Sequence, residues 1–393
     1  MTVRVSKPEF NLREKLSELD KPTGLKGLEL MRSDTSQNAR DLIGAGRRNL
    51  IINGSMAVAQ RATSLSAQSY SSPLYPTCDR WQFRSSNLDQ ANFNVSQQND
   101  APNGVCTKSI KVDVNAAETV LGAGEQFWIA QTIEAQNCSD LGFGDSGASD
   151  LTISFYVKSN VLGTYSMYLY TQDPNRSISR TYTIDTVGNW ERKIIHVPGD
   201  TGGSAINHDN GIGIKVYWHL LAGSDYQSSS ATNWQTHNGN ATAYGHEVNI
   251  ASSTSNYWQL TGVQVERGSN ATEFENRSFG EEMVLCHRYY QQIEGYSDLI
   301  MFASGRANGA SEASVALPLA VPLMKSPTIP ALDYKTWGVS ASNSVSGGQP
   351  AVTRWYNNSN ILHLAFPTSS MDNGRTVVVS CSGGSTLQLS SET

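Results

Sequence analysis

The chain has 393 residues, a formal net charge of −6 and 16% charged side chains, against ~25% in an average soluble domain. Its 38% hydrophobic residues, 8 Trp among the aromatics, can build real cores and exclude wholesale disorder. The acidity speaks against a nucleic-acid ligand, which calls for a basic stripe.

The start, MTVRVSKPEF, has no apolar h-region, so no targeting segment is expected. The longest apolar run, residues 316–324, is interrupted by Pro318 and Pro322, so no membrane insertion is expected either. At roughly 100–200 residues per domain, the length fits two or three domains.

The first segment, residues 1–45, is helical in pattern. Residues 8–20 place Leu12, Leu16 and Leu19 on one narrow apolar stripe, the coiled-coil form rather than the globular one. A weaker stripe follows at Leu25, Leu28, Leu30 and Met31, and a third piece at 36–43. None can build a core alone, so an oligomer contact or a docking surface is expected for Leu12, Leu16 and Leu19.

From Asn49 the period changes to two. Strands are expected at 50–52 (stopped by Asn53-Gly54), 80–84, 109–115, 126–133, 151–158, 165–171, 179–185, 190–197, 211–221 and 256–266, with a bulge at Gly262. Trp81, Trp128, Trp190, Trp218 and Trp258 lie on these strands and are expected in the core. The spacing predicts an all-β, antiparallel jelly-roll sandwich over residues 46–278. Ser278 with Glu281 forms a capping-box pattern for a short helix. Further strand candidates at 298–303, 314–323, 337–340, 353–356, 361–366, 375–381 and 386–389 predict a smaller C-terminal β domain, residues 279–393.

No catalytic or cofactor motif survives scrutiny. Gly142, Gly144 and Gly147 fit G-x-G-x-x-G, but a strand follows instead of a helix. His246-Glu247 opens like H-E-x-x-H, but Ile250 stands where the second histidine belongs. Asp140, Asp145, Asp150, Asp173 and Asp225 read as turn carboxylates. A structural calcium on Asp200, Asn207 and Asp209 lacks EF-hand spacing, and a plain turn is favoured there. The five cysteines, Cys78, Cys106, Cys138, Cys286 and Cys381, form no CxxC pair and read as mostly buried thiols of a protein folded in a cytosol. A Cys78–Cys106 bridge is the least implausible pairing. The chain is expected to be no enzyme and to need no cofactor.

The aromatic residues carry the better signal. Residues 222–255 form a loop far longer than usual, almost free of aliphatic residues but holding Trp234, His237 and Tyr244 among Gln235, Asn238 and Asn240. The C-terminal domain offers Trp337, Trp355 and Tyr356. Flat rings beside planar polar groups suit sugars, so these six are the candidate glycan-binding residues.

Two motifs add a resemblance. Residues 261–266 (TGVQVE), Gly268, Ala271-Thr272, Phe274-Glu275, Arg277-Ser278, Glu281, Cys286 and Arg288-Tyr289-Tyr290 form one. Residues 49–61 with Asp79-Arg80-Trp81 form the other. Together they resemble the junction and opening strand of a carbohydrate-binding-module-like jelly roll in bacteriophage tail-fibre and head-fibre proteins. The resemblance implies a homotrimeric virion fibre, attached to a tail or capsid protein through its N-terminus, that contacts host surface polysaccharide. Two alternatives stand beside it: a decorating fibre without specific receptor binding, and a polysaccharide-degrading tailspike. The sequence lacks the repeat that a long β-helix of the latter would need.

Overall fold

The computed structural model describes residues 25–33, 48–227, 231–294, 300–329, 337–340, 351–354, 359–367, 373, 376–381 and 386–392. The stripe Leu12, Leu16, Leu19 and the piece at 36–43 lie outside the described residues. A short helix, α1 (Leu25–Met31), is described before the β structure, with Met31 exposed.

Twelve strands build the main body: β1 (Ser64–Gln68), β2 (Gln82–Ser86), β3 (Asn92–Gln98), β4 (Ser109–Ala116), β5 (Gln126–Glu134), β6 (Leu151–Ser159), β7 (Gly163–Thr171), β8 (Arg176–Ile184), β9 (Glu191–Val197), β10 (Ile212–Ala222), β11 (Gln235–Thr236) and β12 (Tyr257–Arg267). They form two antiparallel six-stranded sheets, ordered β1-β3-β4-β12-β6-β9 and β11-β8-β7-β10-β5-β2. The chain crosses repeatedly between the sheets, as in a jelly roll. Alternation drives this arrangement. In β10, Ile214, Val216 and Trp218 face the interior while Lys215 and Tyr217 face out. Between the sheets, Phe93 stacks on Phe127 at 4.0 Å and Phe155 meets Trp218 edge-on at 5.8 Å.

The expected bulge at Gly262 is present. The β6–β12 register shifts between Thr261 and Gln264, and Gly262 has φ +59°, with Tyr156 Cδ2 only 2.9 Å from where a Cβ would sit. Residues 50–52, expected as a strand, run instead as an irregular buried segment along β12. The Asn49 side chain replaces the ladder there, its Nδ2 donating to Val263 O and its Oδ1 accepting from Ile51 N and Val265 N.

After the sandwich, α2 (Phe279–His287) starts on the expected capping box, Ser278 with Glu281. Then follow β13 (Tyr290–Glu294), β14 (Ile300–Ala307), β15 (Glu312–Pro318), β16 (Trp337–Ser340), β17 (Ala351–Arg354), β18 (Ile361–Pro367), β19 (Thr376–Cys381) and β20 (Thr386–Ser390). A β13-β20 pair and a sheet β16-β19-β14-β15-β18-β17 result, with an apolar core of their own around Val315, Leu364 and Val377.

The two motif segments meet in space at the joint between these bodies. Arg80 is buried with its guanidinium 3.4 Å from the Tyr289 ring centroid, and Arg61 lies 3.8 Å from that of Tyr290. Glu134 accepts from Arg288 Nε (2.7 Å) and Nη2 (2.8 Å) and from Tyr289 OH. Burial alone would raise the Glu134 carboxyl, but the hydrogen bonds from Arg288 and Tyr289 hold it below the usual carboxylate range. The Asn53 amide donates to Glu282 Oε1 at 2.5 Å, and Arg277 Nη2 to Asn49 O at 2.5 Å. The motif residues are therefore architecture: they seal one body to the next.

Candidate functional site

The outer face of the second sheet is built by the residues that alternate with its core. Register sets them in rows across the strands. Arg84, Trp128 and His219 form one row, Gln82, Ala130, Tyr217 and Tyr168 the next, and Lys215 faces Tyr170 in a third. Trp128 and Tyr217 meet edge-on at 4.9 Å. Lys215 Nζ lies 5.0 Å from the Trp128 ring and 5.1 Å from the Tyr217 ring, and donates to Gln82 Oε1 at 2.5 Å.

The long segment after β10 folds over one side of this face and makes it a cleft of about 340 Å³. Tyr226, His237 and Thr242 come from that segment, Tyr226 being anchored by a hydrogen bond from its OH to Gly124 O (3.1 Å). His237 is held by its backbone N–H on Asn175 O (2.8 Å), by a hydrogen bond between its Nδ1 and Tyr168 OH, and by ring contact with Tyr170 at 4.7 Å. In the floor, His219 is 1% exposed, and neither of its ring nitrogens has a hydrogen-bond partner of normal geometry among the described residues. Burial, and next to it His246, pushes the His219 imidazole down to about 3, which Thr242 offsets only in part, so it is neutral. His246, pushed down to about 4 by burial, accepts from Ser166 N at 3.1 Å and faces Val248 O at 2.7 Å. Among the described residues no carboxylate lines the cleft.

The expected site residues are distributed differently. His237 lines the cleft. Trp234 does not: it sits edge-on to Phe143 at 5.5 Å, packs on the core, and donates through Nε1 to Pro198 O (2.6 Å), pinning the loop. Tyr244 is half-buried outside the cleft lining. Trp337 starts β16, but nothing is described of its side chain, and Trp355 and Tyr356 lie outside the described residues.

One tryptophan departs from the expected core. Trp190 is half-buried, its Nε1 donating to Asp100 Oδ1 (3.1 Å), because it precedes an edge strand with no sheet beyond. Trp128 is buried as expected, at 6% exposure, but on the outward side of β5, where it lines the cleft; Trp81, Trp218 and Trp258 are buried between the sheets. Alternation could have found the cleft. Once Ile129, Val216 and Leu169 are assigned inward, Trp128, Tyr217, Tyr168 and Tyr170 must share the opposite face.

Asp200 is occupied by an ion pair to Arg176 Nε at 2.6 Å, and Asp209 Oδ1 accepts from Gly211 N, so these two carboxylates serve the turn. Among the described residues no three His, Cys, Asp or Glu side chains gather as metal ligands. Cys78 and Cys106 are free thiols, not a bridge, as are Cys138 and Cys286.

No protein-family model matches the chain. No curated protein matches it in sequence. Among solved structures it is similar to the enzymatically active domain of tailspike protein 4 of bacteriophage CBA120, at 13% identity and TM-score 0.30, over 56% of this chain but only 21% of that one. It is also similar to the module TmCBM61 in complex with β-1,4-galactotriose (13% identity, TM-score 0.25, 56% of this chain and 99% of that one). A third likeness is to the family 11 carbohydrate-binding module of a Clostridium thermocellum cellulosomal cellulase (12%, TM-score 0.25, 53% and 96%). None of these likenesses is close enough to assign a function.

Proposed function

We propose that the chain binds glycans without cleaving them, through the outer face of its second sheet. One observation carries this reading: a cleft lined by the rings of Trp128, Tyr217, Tyr168 and Tyr170 together with the hydrogen-bonding side chains of Gln126, His237, Thr242 and Arg84, with no carboxylate among its described lining residues. Aromatic faces take the C–H surfaces of a sugar, and the polar rim takes its hydroxyls. Glycoside cleavage by the usual route needs a carboxylate pair, and none is present among the described residues that line this cleft.

The two motif segments support a finer reading, a phage virion fibre that folds in the host cytoplasm. Residues 1–45 attach a homotrimer to a tail or capsid protein, residues 46–278 form the glycan-binding jelly roll, and residues 279–393 form the tip facing host polysaccharide. Glycan-array binding by the purified chain tests the first reading, and no bound glycan overturns it. Imaging labelled protein on the particle tests the second, and its absence from the virion overturns that one.

A further inference from the structure

One cation, Arg84, lines the cleft, and a second, Lys215, lies next to the lining against the rings of Trp128 and Tyr217; among the described residues no carboxylate pairs with either. Arg84 is exposed at the rim, in the strand next to Trp128, and has no acidic partner among the described residues. Lys215 lies under the rings of Trp128 and Tyr217, and its hydrogen-bond partner, Gln82 Oε1, is neutral. An ammonium carries three donors, so two remain to be satisfied. The chain has 35 acidic side chains against 29 basic ones. Two basic groups without an acidic partner beside the aromatic residues therefore run against its composition. Burial, with Arg84 and Arg80 close by, pushes the Lys215 ammonium down to about 8, as expected where a cation lacks a counter-charge. Beside them lies the buried, neutral imidazole of His219, whose ring nitrogens have no hydrogen-bond partner of normal geometry among the described residues.

We infer that the cleft takes an acidic glycan, one bearing a carboxylate or sulfate on the sugar that stacks on Trp128 and Tyr217, an inference that rests on the glycan-binding reading above. The anion would sit between Lys215 and Arg84, the guanidinium offering the flat fork that suits an oxyanion. Charge-assisted hydrogen bonds in a half-buried site are the strong ones, so the acid group should dominate affinity.

The test is equilibrium binding of the full chain to pectate, alginate and hyaluronan, each beside its carboxyl-reduced counterpart, and to dextran sulfate beside dextran. At least one acidic polymer should bind about tenfold or more tighter than its neutral counterpart, with affinity falling as salt rises. Whether a carboxylated or the sulfated polymer binds identifies the anion. Lys215→Met and Arg84→Gln should each bring the acid form toward its neutral counterpart, with thermal melts verifying folding, while Lys111→Met on the opposite sheet leaves it unchanged. If acidic and neutral polymers bind equally, or if both cleft variants fold and bind the acid form like wild type, the inference is overturned and glycan binding stands. If no glycan of either kind binds, both readings fail.

Discussion

On the outer face of the first sheet, Lys111 lies 5.0 Å from the Tyr257 ring and pairs with Asp113 at 2.7 Å, while Lys158 lies 5.8 Å from the Trp190 ring and pairs with Asp100 at 2.8 Å. On the outer face of the second sheet, Lys215 sits as close to two rings but reaches only the amide of Gln82. The ingredients are alike and the wiring differs. Where carboxylates stand next to the lysines, the face is self-satisfied and contributes little beyond solubility. Where they are absent and a loop folds over the rings, basic groups without an acidic partner lie in and beside a cleft, and a ligand can complete them.

The strongest way to sharpen this comparison uses neighbours on one strand. Trp218→Ala removes an inward ring that Trp81 and Phe155 touch, and should cost ~3–5 kcal/mol in denaturant unfolding. Tyr217→Ala, one residue away on the outward face, should cost ~1 kcal/mol of stability. Its main effect belongs to binding, with glycan affinity falling about tenfold or more. Equal stability losses for the two would mean that the outer ring is simply more core.

Acid comes next. His219 and His246 have folded-state values near 3 and 4, below the ordinary ~6.5 of the unfolded chain. Below pH ~6.5 the unfolded chain takes up protons that the native one refuses. Stability should then fall by about 1.4 kcal/mol per pH unit for each histidine until the folded values are reached. Both contributions are fully present above that range. His219→Gln should flatten the slope, and an unchanged slope would show that the cleft floor does not hold a neutral imidazole. The smallest effect belongs to the paired face: Lys158→Met should shift stability by no more than ~1 kcal/mol and leave glycan affinity alone.

The sandwich was legible in the sequence because each core strand alternates cleanly. Ile110, Val112 and Val114 stand for one sheet, and Ile214 and Val216 for the other. The bulge at Gly262 and the Ser278–Glu281 box were legible because single residue types force them. Strands β1 and β3 were not, since SLSAQ and NFNVSQQ are mostly polar and gain their identity from pairing with each other and with β4. The cleft was half legible. His237 is in it, but Trp234 is spent on holding the loop, and the side of the sheet on which Trp128 is buried was not legible because period-two alternation does not say which face is covered by what. Only the partner sheet decides that, and it lies far away in sequence.

Hydrogen exchange of the full chain with and without a bound polysaccharide tests the central claim most directly. Protection should gather on β5, β7, β10 and the segment from Ala222 to Ile250, with β4, β6 and β12 unchanged. Protection confined to the first sheet, or to the C-terminal strands, would contradict it.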